Sequence, residues 1–246
     1  MLLENKIAVI TGNPYGIGRL SAELLSQEGA QVVCIDDSKA GWQSEKDTSG
    51  DLPHFLADVS DPKAVSGVVA QCENSLDRID ILVNLAGRAS KKHFEETDEK
   101  TWNEMIARNL TAAFLCSKQF LPLIKKSSSG AIINHASIDG FLGNPSLAAY
   151  SAGKGGILPL THVMAHDLGK YGIRVNSIST GGIRDGEKRA TDSSRVRVTP
   201  LKRTGTPLDV ARVVLFLASE LSSYVNGANI VVDGGRTAIT QGCYED

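Results

Sequence analysis

Apolar positions along the chain fall into two alternating patterns. Short, nearly continuous apolar runs at 6–10, 31–35, 54–57, 79–83, 131–136, 173–178 and 229–232 have the length and β-branched content of buried strands. Between them, apolar residues recur at helical spacing. Leu20, Ala22, Leu24 and Leu25 form one such set, closed by Gly29, and Val65, Val68, Val69 and Cys72 form another, opened by Ser60-Asp61-Pro62. A long helix is predicted from Thr101 past Ser117, with Trp102, Met105, Ile106, Leu110, Ala113 and Phe114 on its apolar side. Another runs from Tyr150 through Ile157, Leu160, Val163, Met164 and Leu168 to a stop near Gly172, and a last one covers 207–219. Residues 37–53 are polar and glycine-containing, with no helix placed there. Residues 181–206 form a long polar segment with little periodicity, the length of an active-site lid. Strands alternating with helices on this scale predict a doubly wound α/β domain over 1–246, a parallel sheet in a three-layer sandwich with its ligand at the strands' carboxyl ends.

Composition narrows the function classes. A formal net charge of -2 over 246 residues gives no general attraction to nucleic acid or to an anionic membrane. No apolar run reaches membrane-spanning length, and the first residues lack a signal peptide's apolar region, so a cytoplasmic protein is expected. The four cysteines, Cys34, Cys72, Cys116 and Cys243, are scattered without a Cys-x-x-Cys, which suggests unpaired thiols and neither a disulfide framework nor a zinc site. His162 and His166 have the i, i+4 spacing of a metal-binding helix, but Val163 stands where His-Glu-x-x-His requires its glutamate, and no third ligand is evident. No metal is expected.

The chemistry-bearing residues gather at the predicted strand ends. After the first strand comes Thr11-Gly12-Asn13-Pro14-Tyr15-Gly16-Ile17-Gly18, a strand–turn–helix junction whose glycines would let backbone approach a pyrophosphate at the helix N-terminus. The second strand ends in Asp36-Asp37, and an acid there binds the adenosine ribose 2′-hydroxyl and repels a 2′-phosphate. Tyr15 fills a loop position where an arginine would have helped hold that phosphate, and no arginine lies near Asp36 in the sequence. NAD is favoured over NADP. Asp58 and Asn84 fall at the next two strand ends.

In the second half, Tyr150 and Lys154 stand at i and i+4 on one helix, so phenol and ammonium face the same way. A phenol with a reference pKa of about 10 is a poor base at neutral pH, and a nearby cation favours its phenolate. Ser137, at the end of the fifth strand, would hydrogen-bond the substrate oxygen that Tyr150 protonates or deprotonates. Strand alternation puts His135 on the same side as Ser137, as a minor neighbour. Asn109 lies within the long helix. From the residues alone its reading as a satisfied polar side chain outweighs its reading as a helix distortion holding a relay water. In the lid, Arg184, Lys188, Arg189, Arg195, Arg197, Lys202 and Arg203 outnumber Asp185, Glu187 and Asp192, the composition of a solvated loop or of one that meets an anion.

Taken together in this order and spacing, Thr11-Gly12-x-x-x-Gly16-Ile17-Gly18, Asp58-Val59, Asn84-Leu85-Ala86-Gly87, Asn109, Ser137, Tyr150-x-x-x-Lys154 and Val232-Asp233-Gly234-Gly235 resemble the short-chain dehydrogenase/reductase family over essentially the whole chain. The resemblance implies a seven-stranded parallel sheet and a homotetramer. It makes Tyr150 the general acid/base, with Lys154 lowering its pKa and binding the nicotinamide ribose, Ser137 orienting the substrate and Asn109 holding the relay water. Asp36 marks NAD use, Asp58 and Val59 contact adenine, Asn84, Ala86 and Gly87 line the cleft, and Ile183 is also on the cofactor's side. Pro14, Thr180-Gly181 and Asp185 depart from the pattern, the last putting a carboxylate where a threonine commonly meets the cofactor. The implied activity is NAD-dependent hydride transfer with a secondary alcohol: a sugar, polyol or cyclic alcohol. The alternatives are an NADPH-dependent 3-oxoacyl-thioester or ketone reductase and a non-catalytic dinucleotide-binding protein.

Overall fold

In the computed structural model, which describes residues 1–12, 16–37, 53–184 and 194–239, seven strands form one all-parallel sheet. They are β1 (Ile7–Thr11), β2 (Gln31–Asp36), β3 (His54–Leu56), β4 (Ile81–Asn84), β5 (Ala131–Ser137), β6 (Arg174–Thr180) and β7 (Asn229–Val232), in the spatial order β3-β2-β1-β4-β5-β6-β7. The helices are α1 (Ile17–Gln27), α2 (Pro62–Ser75), α3 (Glu99–Ile106), α4 (Ala112–Ile124), α5 (Ala148–Gly169), the single turn α6 (Ser194–Arg197) and α7 (Pro207–Ala218). None of the helices among the described residues is long and apolar enough to cross a membrane.

The strands read as unbroken apolar runs because both faces of the sheet are covered. Successive side chains go to opposite sides. Val9, Val33, Ile35, Leu82 and Ile132 pack into one core with α2 and α4, where Val65, Val68 and Phe120 are buried. Ala8, Ile10, Val32, Cys34, Ile81, Val83 and Ile133 pack into the other, with Leu25 of α1 and Val210, Val214 and Leu217 of α7. Cys34, Cys72 and Cys116 are buried and unpaired. Local capping follows the sequence: Asp61 accepts from the Lys63 N–H ahead of Pro62, and Thr206 and Asp209 form a capping box at the start of α7.

The order of strands reverses direction between β1 and β4, the place where a parallel sheet opens a crevice at its carboxyl edge. Register brings the relevant ends level: Thr11 pairs with both Ile35 and Asn84, Asn84 with Asn134, and Ser137 with Thr180.

One predicted element is corrected. The helix expected to run unbroken past Ser117 is interrupted by a π-helical turn, Ala107–Thr111. Here the N–H of Ala112 donates to the carbonyl of Ala107, five residues back, and the Asn109 Nδ2 donates to the Met105 carbonyl at 3.0 Å. The asparagine amide thus takes an acceptor that a regular α-helix would give to its own backbone. The lid expected at 181–206 is described only at its ends. Ile183 bridges Gly205, with Arg184 N–H to Gly205 O and Gly205 N–H to Gly182 O both at 3.0 Å, so the two ends are pinned together beside the crevice. Positions 38–52, left without a helix above, lie outside the described residues, as do Tyr15, Pro14, Asp185 and Cys243.

Candidate active site

At the carboxyl edge a cleft of about 530 Å³ is lined by Ser137, Asp139, Asn144, Tyr150 and Ile183, among others. Ser137 is brought there by the last residue of β5 and Tyr150 by the first turn of α5. The Ser137 oxygen accepts the Asp139 N–H at 3.1 Å, and its hydroxyl favours the charged form of the Tyr150 phenol. Lys154, one turn along α5, is 2 % exposed and donates from Nζ to the His135 carbonyl at 2.8 Å.

The electrostatics differ from those expected of the isolated tyrosine–lysine pair. Burial raises the Tyr150 pKa above the usual phenol value. The Ser137 hydrogen bond opposes this, and the charge of Asp139 adds to it. Burial also pushes Lys154 down, to about 7. The expectation that an ammonium makes the phenol acidic is therefore corrected for the protein by itself. The cation is held by a carbonyl and is itself discouraged by desolvation.

Asn109 is the second correction. It is buried and sits in the π turn, so the distorted-helix reading replaces the bland one. Its Nδ2 is fully used, by the Arg88 and Met105 carbonyls, but its Oδ1 is buried with no partner among the described residues. Orphaned buried acceptors are uncommon and point to a missing donor. A Cβ on Gly87 would lie 2.4 Å from this Oδ1 and 3.2 Å from Lys154 Nζ, so the acid amide, the ammonium and the Gly87 backbone converge on one spot. Gly87 also has φ +145°, which side chains rarely adopt.

The cofactor-side residues divide by what their side chains do. Gly12 packs against Ala86 so closely that a Cβ would meet the Ala86 Cα at 2.4 Å. Gly16 opens α1 with no side-chain cap and no acid in the first turn, and Ile17 and Gly18 follow it, both buried. Such a helix N-terminus leaves N–H donors for an anion. Asp36 is buried at the end of β2. The Val59 side chain is committed elsewhere, and that of Asn84 is committed only through its nitrogen, its Oδ1 being buried with no partner among the described residues. Asn84 Nδ2 donates to Ser117 Oγ and Asn134 Oδ1, both at 2.9 Å, and Val59 belongs to the core with Ile35 and Val65. Asp58 binds the Ser60 N–H and hydroxyl at 2.9 and 2.6 Å. Burial disfavours its charged form, but the Ser60 hydrogen bonds and the Arg108 and Arg88 charges prevail, and its pKa lies below the usual carboxylate value.

Three features escaped the sequence reading. An arginine does stand near the end of β2: Arg108, from the π turn, lies 3.1 Å from Asp37 and 3.6 Å from Asp58, with Glu104 at 3.5 Å. Seventy-one positions separate Arg108 from Asp37, so only the fold brings them together. Thr180, one of the family departures, hydrogen-bonds His135 Nε2 at 3.0 Å and ties β6 to β5 under the cleft. Asp139 belongs to the stretch expected to line the substrate pocket, but the effect of its charge on the Tyr150 phenol was not foreseen. His162 and His166 are both exposed on α5, and no cluster of three metal-ligating side chains forms among the described residues.

Comparison with known proteins places this geometry in context. Residues 12–237 match the family model described as enoyl-(acyl carrier protein) reductase. The chain is 40 % identical to an uncharacterized oxidoreductase, YxbG, of Bacillus subtilis, over 97 % of this chain and 93 % of that one. It is 35 % identical to the 3-oxoacyl-[acyl-carrier-protein] reductase FabG of Vibrio cholerae (97 % and 100 %) and 35 % identical to a cyclopentanol dehydrogenase of Comamonas (96 % and 98 %). A crystal structure of a short-chain dehydrogenase/reductase from Burkholderia xenovorans superposes with a TM-score of 0.89 at 32 % identity, covering 97 % of this chain and 99 % of the other.

Proposed function

Given that the chain belongs to the short-chain dehydrogenase/reductase family of oxidoreductases, we propose that it interconverts a polar secondary alcohol and its ketone with NAD as cofactor. The sugar, polyol or cyclic-alcohol class is the one the site suits. One observation carries the reading: Ser137, at the end of β5, and Tyr150, in the first turn of α5, line the same cleft, where both can reach a single substrate oxygen.

The site fits a nicotinamide dinucleotide. The uncapped start of α1 suits a pyrophosphate, buried Asp36 suits a ribose 2′-hydroxyl, and the orphaned Asn109 Oδ1 beside Lys154 suits a water and a second ribose. Gly12, Gly16, Ile17, Gly18, Ala86, Gly87 and Ile183 would hold the cofactor by backbone and shape, with Asp58 and Val59 at its adenine end. Bound there, the cofactor supplies the carbon that accepts or returns hydride. In the oxidative direction Tyr150 takes the hydroxyl proton as the C=O bond forms, and Ser137 holds the same oxygen by hydrogen bond. The proton then leaves by way of Lys154 and a water on Asn109. Because burial raises the pKa of the phenol in the unliganded protein, Tyr150 starts protonated, and its phenolate becomes accessible only when the filled site offers the charged form new donors.

Preference for NAD rests on charge. Among the described residues Arg108 and Arg88 stand against Asp37, Asp58 and Glu104, with Asp36 at the end of β2, so the acids there outnumber the cations. Arg108 favours the second reading, an NADPH-dependent 3-oxoacyl-thioester reductase, since it is a cation where a 2′-phosphate would sit. Phe114 and Val163 are large exposed apolar side chains on α4 and α5, which supports a homotetramer.

The test is an NADH-linked screen of alcohols and ketones, run with both cofactors, on wild type and Tyr150→Phe. NADH formation from one or more polar secondary alcohols is expected, falling by about 10³-fold in the variant. Undiminished turnover in Tyr150→Phe would sink the mechanism, and a clear NADPH preference would favour the reductase.

A further inference from the structure

The cleft that holds Ser137 and Tyr150 also holds two cations, Lys91 and Arg236, which nothing above has used. Their neighbours are neutralised and they are not. Lys92, next in sequence to Lys91, donates to Asp98 at 3.1 Å and to Thr101 at 2.8 Å. Lys91 has no ion-pair partner among the described residues. Its position is fixed by the chain: the Lys92 N–H donates to the Ser146 carbonyl at 2.9 Å, which ties this segment to the loop before α5.

Arg236 is half-buried, just beyond the turn that follows β7. The acid that could serve it is occupied. Asp233 accepts the Gly235 N–H at 2.8 Å on one oxygen and the Thr237 N–H at 2.7 Å on the other. The guanidinium therefore reaches the cleft without an ion pair among the described residues. Against these two positive charges the described residues of the cleft lining contribute one acid, Asp139, which accepts from Asn144 Nδ2 at 2.9 Å and acts on Tyr150. The described residues of the lining are thus positive by one charge, with their negative pole at Asp139 beside Tyr150.

From this distribution we infer that the substrate is a hydroxy acid, its carboxylate received by Lys91 and Arg236 while its secondary hydroxyl lies on Ser137 and Tyr150. A carboxylate matches the planar donor fork of the half-buried Arg236, and the exposed Lys91 adds a second positive charge at the same cleft, whereas a neutral alcohol would leave the guanidinium unanswered. Asp139 enforces the orientation, because it repels a carboxylate placed at the hydroxyl's end and accepts a further hydroxyl there. This inference deepens the proposed dehydrogenase reading and rests on it for the identity of the reacting group.

Binding and turnover separate the two ideas. NADH-loaded protein is titrated calorimetrically with matched pairs, gluconate against glucitol and 3-hydroxybutyrate against 1,3-butanediol. The acid of at least one pair should bind about tenfold or more tightly than its neutral partner, with the preference eroding as salt is raised. Lys91→Met and Arg236→Met should each cut acid affinity severalfold more than that of the neutral partner. Equal binding within every pair, absence of binding included, overturns the inference. So does an Arg236→Met variant that loses NADH affinity with no change in its preference for acids, since that would place the guanidinium on the cofactor. Selective acid binding without any NADH formation from alcohols would leave the anion site standing and sink the dehydrogenase. NADH formation from neutral alcohols alone, undiminished in both variants, would do the reverse.

Discussion

Lys154 illustrates how a single residue is shaped by its surroundings. It is 2 % exposed, bonded to the His135 carbonyl, and its pKa is pushed down to about 7 by burial from an ordinary 10.5. Between those values the unfolded chain holds a proton on this lysine that the folded chain has released, so folding stability should rise with pH across that window. Below about pH 7 the lysine is charged in both states and the desolvation cost is fully present. Lys154→Met is expected to stabilise the cofactor-free protein by about 2 kcal/mol at acidic pH and by little near pH 10.5, while abolishing turnover. The leftover His135 carbonyl trims the gain. Urea unfolding at the two pH values checks this, and a pH-independent difference would show that the lysine's charge is not the cause. Tyr150, Ser137 and Lys154 were all legible in the sequence, because i, i+4 spacing and strand alternation are local geometry. The direction of their pKa shifts was not, because desolvation depends on what the rest of the chain packs around them.

At the scale of elements, the π turn does two jobs. It turns the Asn109 amide onto the Met105 carbonyl with Oδ1 left open, and it throws Arg108 outward between Asp37 and Asp58. Helical periodicity continues smoothly through Ile106, Leu110, Ala113 and Phe114, so nothing in the apolar pattern announces the extra residue. What distinguishes it is a side chain competing with backbone for one carbonyl, an interaction that local spacing does not reveal. Removing Arg108 leaves the acids at the adenosine end less compensated. Arg108→Ala should therefore weaken NADPH binding about tenfold relative to NADH, measured by nucleotide fluorescence. A variant that binds both equally well would exclude Arg108 from any hold on the 2′-position.

For the molecule as a whole, the opposite edge of the sheet carries its own anchor. Asp80 is buried where β1, β4 and β5 begin: it accepts the Ile7 N–H at 2.9 Å, the Ser127 hydroxyl at 2.6 Å and Arg78 Nε at 3.0 Å. Burial works against its charge, but the Ser127, Ile7 and Arg78 interactions outweigh it and its pKa falls below the usual value. A depressed carboxylate stabilises the fold above its unfolded pKa, and that contribution is lost as pH drops through the folded one. Asp80→Asn should cost about 3 kcal/mol near neutral pH, with the gap from wild type closing below about pH 4. Chemical denaturation across that range measures it, and a constant gap would argue for a packing effect instead. The catalytic edge is built of groups whose hydrogen bonding is incomplete, Asn109 Oδ1 above all. The Asp80 edge is built of groups that are satisfied, so stability and function occupy opposite ends of the same strands.

The order of amino acids by itself determined the seven strands, the helices between them apart from the π turn, and the spacing of Ser137, Tyr150 and Lys154. Each of these depends on periodicity or spacing within a few residues. Only the tertiary structure decided which side chains face the cleft and with what charge. It sent Asn84 and Val59 inward, brought Arg108 to Asp37, set Thr180 on His135, and placed Lys91 and Arg236 in the cleft of Ser137 and Tyr150 without ion-pair partners among the described residues. Those outcomes come from contacts between segments far apart in the chain, and from burial, which no short stretch of residues can specify.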